Sequence, residues 1–581
     1  MSGHFPNDTI NFGAYTLMNS TVTYPPSSSY FDAYLVKYNS KGQLQWARQT
    51  ISLDTSRNHF DLTPYAVSVD DFGNSYSSVN LTDTLIAGAY TVVSKRGLGS
   101  AAVVKYDSNG NVKWVRTSQN CVHTDTDEAA VSWVSCDHKG NVYLLGVGAY
   151  DTITFGGYKL YYNHNDYFND FLVKYDSSGN VKWAKQAVPL STNSSSVSYG
   201  VTTDDFGNIY TTGGVGDSVK YGPYFLSAGD EVGFVIVKWD SAGNVLWAKS
   251  SYSLNQLTGG AGQSIVADKT GSVYACGNFD GAFILGQDTL HSGVNNGVGN
   301  FFAVKYDPNG NLIWLKQASI LDANYSWGAW SITIDGNHHL YLAGGGGTDT
   351  CKFVFGGDTL SYNDTASNDG ASFIIKLDTN GKVLCSSITQ TGGDIGYNSV
   401  TTVTSGKYVY FGGTALNVAI FGKDTVNPFS VPVNPIQTRN YFPFIARWEA
   451  CDSNIFEAVL EGQKSLSKVL VYPNPNNGNF ITMNELNTLS NGSGFVRADL
   501  HIHSFVEDAS FDVSDTTMTP ENIVDTAINK GLSIIAITDH NAIGNVKRAL
   551  KKTEGKNILV IPGIEVSTVQ GHLLFYFKDY D

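Results

Sequence analysis

The stretch FLVKYDSSGNVKWAK, residues 171–185, decides how most of this chain folds. Phe171, Val173 and Tyr175 alternate with Leu172 and Lys174, which is the two-residue period of a strand with unlike faces. Asp-Ser-Ser-Gly-Asn follows, a run in which an Asp side chain can cap its own backbone and Gly179 is free to take positive φ. Val181 and Trp183 then resume the alternation, so the stretch predicts a β-hairpin.

The phrase recurs as YLVKYNSKGQLQWAR at 34–48, AVVKYDSNGNVKWVR at 102–116, VIVKWDSAGNVLWAK at 235–249 and FAVKYDPNGNLIWLK at 302–316. It degenerates to FIIKLDTNGKVLCSS at 373–387 and leaves a seventh trace, FIARWEACDSN, at 444–454. Trp46, Trp114, Trp183, Trp247 and Trp314 are spaced by 68, 69, 64 and 67 residues, and Cys385 holds the sixth Trp position 71 further on. A second hairpin signal precedes the phrase, as in CDHKGNVYLLG at 136–146 and DDFGNIYTTG at 204–213. Between the two lies another strand signal with an FG pair, as at Phe155-Gly156 and Phe355-Gly356. Each unit therefore holds four or five short strands, and one such sheet cannot bury both faces alone, so copies must stack. About seven copies are the pattern of a β-propeller closed into a ring, with an array of β-sandwiches as the alternative.

Three smaller features go with the repeat. The Asp-x-x-Gly-Asn turns lack the acidic series and closing Glu of a calcium loop, so they read as Asx-type turns. Asp-Thr followed by Leu, Ile or Val recurs at Asp8, Asp83, Asp151, Asp288, Asp358 and Asp424, which a repeated turn explains. The first copy is incomplete, since residues 3–13 read as the middle of a unit with no leading hairpin: either strands from both termini close the ring or, the favoured expectation, the true N-terminus has been lost.

Composition agrees with a β chain and narrows its class. Apolar residues make up 42% and charged residues 15%, too apolar for disorder and too poor in charge for a coiled coil. The net charge of −15 supplies no basic surface to bind nucleic acid or an anionic membrane. No apolar run approaches the roughly 18 residues of a membrane span, and MSGHFPNDTINFG at the start lacks a signal-peptide pattern. Six Cys in a chain of 581 residues do not make a disulfide framework.

The repeats resemble those of secreted Bacteroidetes β-propeller proteins over roughly residues 1–450. That resemblance implies a secreted or surface module for binding or adhesion, with a protein or a glycan as its ligand. The Asp-Thr triplets are similar to the O-glycosylation motif of that phylum. VLVYPNPNNGNFITM at 469–483, with two prolines and a Gly among Asn residues, resembles the start of the sorting domain of the type IX secretion system. This second resemblance ends near Met483.

Beyond Met483 there is no Cys and no Trp, and strand and helix patterns alternate. FVRADLHIHS (495–504), LSIIAITDH (532–540), ILVIPGIEVS (558–567) and GHLLFYF (571–577) read as strands. Thr519 caps a helix that begins at Pro520 and ends by Gly531, and NVKRALKKTEG (545–555) reads as a second. That alternation predicts a parallel sheet or barrel. His501 and His503, one residue apart, share a side of the first strand, and Asp508 follows in the loop. Asp539-His540 ends the second strand, Glu565 ends the third and His572 opens the fourth. Imidazole and carboxylate donors gathered at strand ends suit Zn²⁺, Mn²⁺ or Fe²⁺.

DLHIHS with Asp508, then ITDHN, GIEVS and GHLL, closely resembles the opening motifs of the PHP (polymerase and histidinol phosphatase) family. The resemblance implies a distorted TIM-type barrel with two or three divalent metal ions that hydrolyses phosphoesters, on a small molecule or a nucleic-acid end. By that analogy His501, His503 and Glu565 share one metal, Asp508 and His540 hold another, and Glu565 with His572 completes a bridged pair. Asp539 would stand behind the ligands, and no catalytic group is assigned beyond them. The family's later ligands have no counterpart here, so the expectation is a partial module with little or no activity; an active phosphoesterase targeted by the propeller is the alternative. The expected fold is thus multidomain: an all-β propeller of about seven blades at 1–455, the start of a sorting-type β domain at 456–482, a linker at 483–494 and a partial α/β PHP-like domain at 495–581. Export of the propeller and the cytoplasmic habit of PHP enzymes point to different destinations, so a joined reading frame beginning at Met483 is weighed against a genuine fusion.

Overall fold

The computed structural model describes residues 2–459 except for connecting segments, of which 19–31, 54–63 and 427–441 are the longest, and then 498–502, 519–529, 534–540, 546–553, 558–568 and 571–576. The chain forms two compact units, Met1–Gln463 and Lys464–Asp581.

The first unit is a series of seven small antiparallel sheets, here called modules, with strands a to d in chain order. In the third module these are Glu128–Cys136, Val142–Ala149, Asn169–Tyr175 and Val181–Gln186. The same a-b-c-d order recurs in modules whose a strands begin at Pro64, Ser195, Gly260, Trp327 and Ile395. The first module starts at the b position: Ser2–Phe5 pairs with Asp32–Tyr38, which pairs with Leu44–Leu53. Each b strand also packs on the a strand of the next module, and Ser2–Phe5 does so against Pro64–Val69.

The middle strands are buried on both faces, as Ser100–Tyr106 shows from end to end, because neighbouring modules cover them. Phe301 of the fifth module lies against Phe373 and Phe355 of the sixth, with ring centroids at 4.8 and 5.4 Å. Burial of such rings between modules is the main force holding the stack together.

The FG signals fold into a separate layer rather than a fifth strand of the main sheet. In the third module Thr152–Phe155 and Tyr158–Tyr161 form a hairpin around Gly156, whose φ is +57°. A two-residue strand leaving the second module, Gln119–Asn120, pairs with its first strand. Link strands Tyr252–Ser253, Ser319–Ile320 and Gln390–Thr391 do the same farther along. Successive modules are therefore joined by backbone hydrogen bonds as well as by packing.

The repeated phrase has two jobs. Its turn satisfies itself: Asp107 Oδ1 accepts from the backbone N–H of Asn109 and Asn111, and Gly110 donates to the Asp107 carbonyl at 2.9 Å. This is the Asx-type arrangement, with the Asp lone pairs spent on its own backbone. The rest of the phrase grips the next module. Trp46 Nε1 and Lys37 Nζ both donate to the Ser108 carbonyl at 3.0 Å, and Arg48 donates to the carbonyls of Gly110 and Asn109. The indole bond repeats from Trp114 to Ser177, Trp183 to Ser241, Trp247 to Pro308 and Trp314 to Thr379, at 3.1–3.2 Å. The turn glycine is required twice over: Gly179 has φ +82°, and a Cβ there would lie 2.9 Å from the Trp114 ring.

The sixth seam is built differently. Lys376 pairs with Cys385 where Lys305 pairs with Trp314, and Cys385 is disulfide-bonded. In modules two to five the b-strand tyrosine packs on the indole of its own module, Tyr76 on Trp114 at 6.0 Å and Tyr274 on Trp314 at 6.1 Å. In the sixth, Tyr341 meets Trp448 of the seventh module instead, at 6.3 Å.

In the second unit Ala498–Ile502, Ile534–His540 and Leu559–Thr568 run parallel, and Gly571–Tyr576 returns antiparallel to the third. The expected parallel sheet holds for the first three strands and turns antiparallel at the last, because only two residues, Val569 and Gln570, separate it from the third, enough for a hairpin but not for a crossover. Among the described residues, no helix is long and apolar enough to cross a membrane.

Candidate functional site

The strand ends of the second unit are positioned by an apolar layer. Ile523, Val524 and Ala527 of helix Pro520–Asn529 and Ala549 of helix Val546–Lys552 pack with Ile535, Ile537, Ile558 and Val560 of the strands. Asn522 N–H donates to Thr519 Oγ1 at 3.3 Å, and Ile523 N–H bonds the Thr519 carbonyl, so Thr519 caps the first helix as its sequence implies. The helices are tied by a two-point pair, Arg548 Nε and Nη2 to the Glu521 oxygens at 2.8 Å, and by Lys552 to Asp525 at 2.8 Å. Partial burial raises the Glu521 pKa, but the Arg548 bonds outweigh it and hold the carboxyl below its ordinary value.

On this frame, position 540 is the direct Cα partner of position 565 across the parallel ladder. Ile502, next to His501, pairs with Ile537, which brings the end of the first strand beside the second. His572 is the partner of Ser567, two residues past Glu565, in the closing hairpin. Directly opposed positions of a pleated sheet belong to one face, so 540, 565, 567 and 572 are positions of a single face. Asp539 precedes His540 in the same strand and pairs with Ile564. His503 and Asp508 lie outside the described residues. Among the described residues no three His, Cys, Asp or Glu side chains gather closely enough to hold a metal ion.

The repeat unit holds two polar clusters that the sequence pattern did not single out. The first is buried between modules three and four. Asp170 accepts from Ser196 Oγ at 2.8 Å, Tyr221 OH at 2.9 Å and Ser198 Oγ. Burial pushes the Asp170 pKa up, and the three hydroxyls only partly oppose it. Register shows what could have revealed it: Asp170 stands where the other modules have Ala33, Ala101, Phe234, Phe301 and Ser372. The second cluster is exposed, on the a–b turns. His138 Nδ1 meets Asp71 at 2.7 Å and its Nε2 meets Asp205 at 3.0 Å, so one imidazole bridges the turns of modules two, three and four. The Asp71 bond is the main cause of a raised His138 pKa, with partial burial opposing and Asp205 adding.

Solved structures overlap the chain only loosely. A protein of unknown function from Bacteroides caccae is 9% identical, covering 67% of this chain and 94% of that one at a TM-score of 0.27. The Dos1 propeller is 10% identical, with coverages of 71% and 85% and a TM-score of 0.31. An exo-β-1,3-galactanase from Clostridium thermocellum is 10% identical, with coverages of 79% and 100% and a TM-score of 0.23. An uncharacterized protein of Methanocaldococcus jannaschii is 31% identical over 90 residues, 15% of this chain and 53% of that protein. The chain thus spans about half the length of the curated relative it matches. Residues 499–581, the segment that carries the strand-end histidines and Glu565, match the PHP domain family.

Proposed function

We propose that the C-terminal segment is a divalent-metal centre of phosphoesterase type, and that the repeat unit is a ligand-binding module outside the cell. The observation that carries the first part is the opposition of positions 540 and 565 at the C-terminal ends of parallel strands, within the PHP-matched segment. α/β folds place their chemistry at such ends. The donor set fits Zn²⁺, Mn²⁺ or Fe²⁺, since it offers imidazole and carboxylate and no thiolate. His501, His503 and Glu565 would hold one ion and Asp508 with His540 a second, with Glu565 and His572 between ions. Divalent cations held there would lower the pKa of water and offset charge on phosphoryl oxygens. Asp539 would orient its neighbours.

For the repeat unit we favour closure of the seven modules into a propeller ring, in keeping with the module-to-module packing of successive a strands. Its ligand would be a protein or glycan on the exposed turns, at the cell surface or beyond it.

The test is metal content of the full chain by plasma mass spectrometry after loading with Mn²⁺ or Zn²⁺ and desalting. Bound metal that disappears in His540→Ala and in Glu565→Ala is expected. Wild-type chain that retains none, or variants that retain as much, would overturn the reading. Hydrolysis of p-nitrophenyl phosphate and bis-p-nitrophenyl phosphate by the same samples separates a working phosphoesterase from a segment that holds metal without turnover.

A further inference from the structure

In modules three to six every a strand carries one extra residue at the same place in its pairing with the b strand. The register skips Ser132 between Val131 and Trp133, Tyr199 between Ser198 and Gly200, Gln263 between Gly262 and Ser264, and Trp330 between Ala329 and Ser331. The residue before each bulge pairs with a b-strand glycine, Gly146, Gly213, Gly277 and Gly344 in turn. A Cβ on Gly213 would run into the Val197 carbonyl, and one on Gly344 into the Gly328 carbonyl, so the bulges are built into the b strands as well. A bulge re-aims a side chain, and such devices gather next to functional sites.

The re-aimed side chains are the accessible ones. Tyr199 is 38% exposed, and Gln263 and Trp330 are half-buried, while Ser198, Gly200, Gly262, Ser264, Ala329 and Ser331 beside them are buried. The Trp330 ring lies over its own strand, since a Cβ on Gly328 would stand 2.6 Å from its Cζ2. Strands a of modules four to six touch at this level. A Cβ on Gly200 would lie 3.2 Å from the Ser264 Cα, and Ser264 Oγ donates to the Ile332 carbonyl at 3.4 Å. Tyr199, Gln263 and Trp330 therefore follow one another on adjoining strands.

We propose that these three residues form a binding site for an uncharged glycan. Tyr and Trp offer wide, stiff rings with a polar edge, which suit the apolar C–H faces and hydroxyl rim of a sugar ring. The Gln263 amide both donates and accepts, as a hydroxyl partner must. Charge selects the class: SSVSYGVTT at 195–203, GAGQSIVA at 260–267 and WGAWSITI at 327–334 contain no Asp, Glu, Lys, Arg or His. A charged ligand would give up water there without meeting a counter-charge on these strands, and a neutral one would not. The inference rests on the reading of the repeat unit as a ligand-binding module, and it adds the inner strands to the turns as a seat for the ligand.

The experiment is native affinity electrophoresis of the full chain through gels containing dextran, yeast mannan, arabinoxylan or galactan, with heparin as a charged comparison. Retardation by at least one neutral polysaccharide is expected, with an apparent affinity that falls about tenfold in Tyr199→Ala and in Trp330→Ala. Tyr161→Ala, which removes an exposed ring of the outer hairpin in module three, should bind as the parent does. Gln263→Ala should also weaken binding, which keeps the test decisive if Trp330→Ala does not fold. Retardation by no neutral polysaccharide, or by heparin alone, would overturn the inference while leaving the module a protein or charged ligand. Retardation that survives in Tyr199→Ala and Gln263→Ala but vanishes in Phe206→Ala would place the glycan on the a–b turns and equally overturn it.

Discussion

Two glycines with the same backbone but different surroundings test whether the repeated phrase is an interlock. Gly179 and Gly207 have φ of +82° and +83°, and each donates its N–H to the turn aspartate's carbonyl, at 2.8 and 3.1 Å. A methyl group at 207 would find nothing nearer than the Ser241 Cβ at 4.0 Å, whereas at 179 it would sit 2.9 Å from Trp114 Cδ2. Alanine at either site pays the left-handed strain of about 1–2 kcal/mol, partly offset by about 0.4–1 kcal/mol of lost unfolded-state entropy. At 179 the indole must also move, although Trp114 is 5% exposed and stacks on Tyr175 at 6.3 Å. Displacing it breaks the bond to the Ser177 carbonyl, worth about 1 kcal/mol, and adds about 1–3 kcal/mol of overpacking. Gly179→Ala should therefore exceed Gly207→Ala in cost by about 2–4 kcal/mol. Chemical denaturation of the full chain followed by tryptophan fluorescence reads the difference, provided the m-values agree. Equal midpoints for the two variants would refute the interlock.

Other outcomes follow from the polar clusters. Because the folded His138 pKa lies above its ordinary 6.5, its bridging contribution is complete below that pH and fades as pH rises through the folded value. The imidazole signal of His138 should titrate at lower pH in Asp71→Asn than in the parent chain, and an unchanged midpoint would count against the bridge. For Asp170 the folded pKa is raised by burial, so the contribution of Asp170 to stability declines as pH climbs from about 4 through that folded value. The stability gap between wild type and Asp170→Asn should narrow as pH rises over that range, and a gap that widens would contradict the assignment. Substituting Trp247→Phe should cost about 1 kcal/mol for the lost bond to the Pro308 carbonyl, and Trp247→Ala about 3–5 kcal/mol; similar losses on denaturation would mean the ring contributes little beyond its N–H.

What was legible in the sequence was local. The hairpin at 171–185 announced itself because alternation and turn chemistry lie within one short window, and the observed strands Asn169–Tyr175 and Val181–Gln186 follow them closely. The same holds for the helix opened by Thr519 and for the strands at 534–540 and 559–568. What the phrase does was hidden, because the carbonyl that receives Trp46 is 62 residues away and belongs to another copy. Link strands such as Gln119–Asn120 are two residues long and carry no period to detect. Asp170 has a Ser, Ser and Tyr environment assembled from the next module, so only alignment of the copies against one another exposes it. At the strand ends, the residue types suggested a metal, but the facing of 540 and 565 is a matter of register that no single strand encodes.

The forward reach of each indole also sets a schedule for synthesis. Trp46 finds its acceptor 62 residues later, and Trp314 finds its own 65 residues later. At about 5–20 residues per second, the ribosome needs roughly 3–13 s to make the turn that covers a tryptophan already emerged. Through the fifth module, each nascent intermediate therefore carries one uncovered indole edge at its growing end, moving along the chain with elongation. At the sixth seam no indole waits in the d strand, because Cys385 holds the position opposite Lys376 and its sulfur is disulfide-bonded.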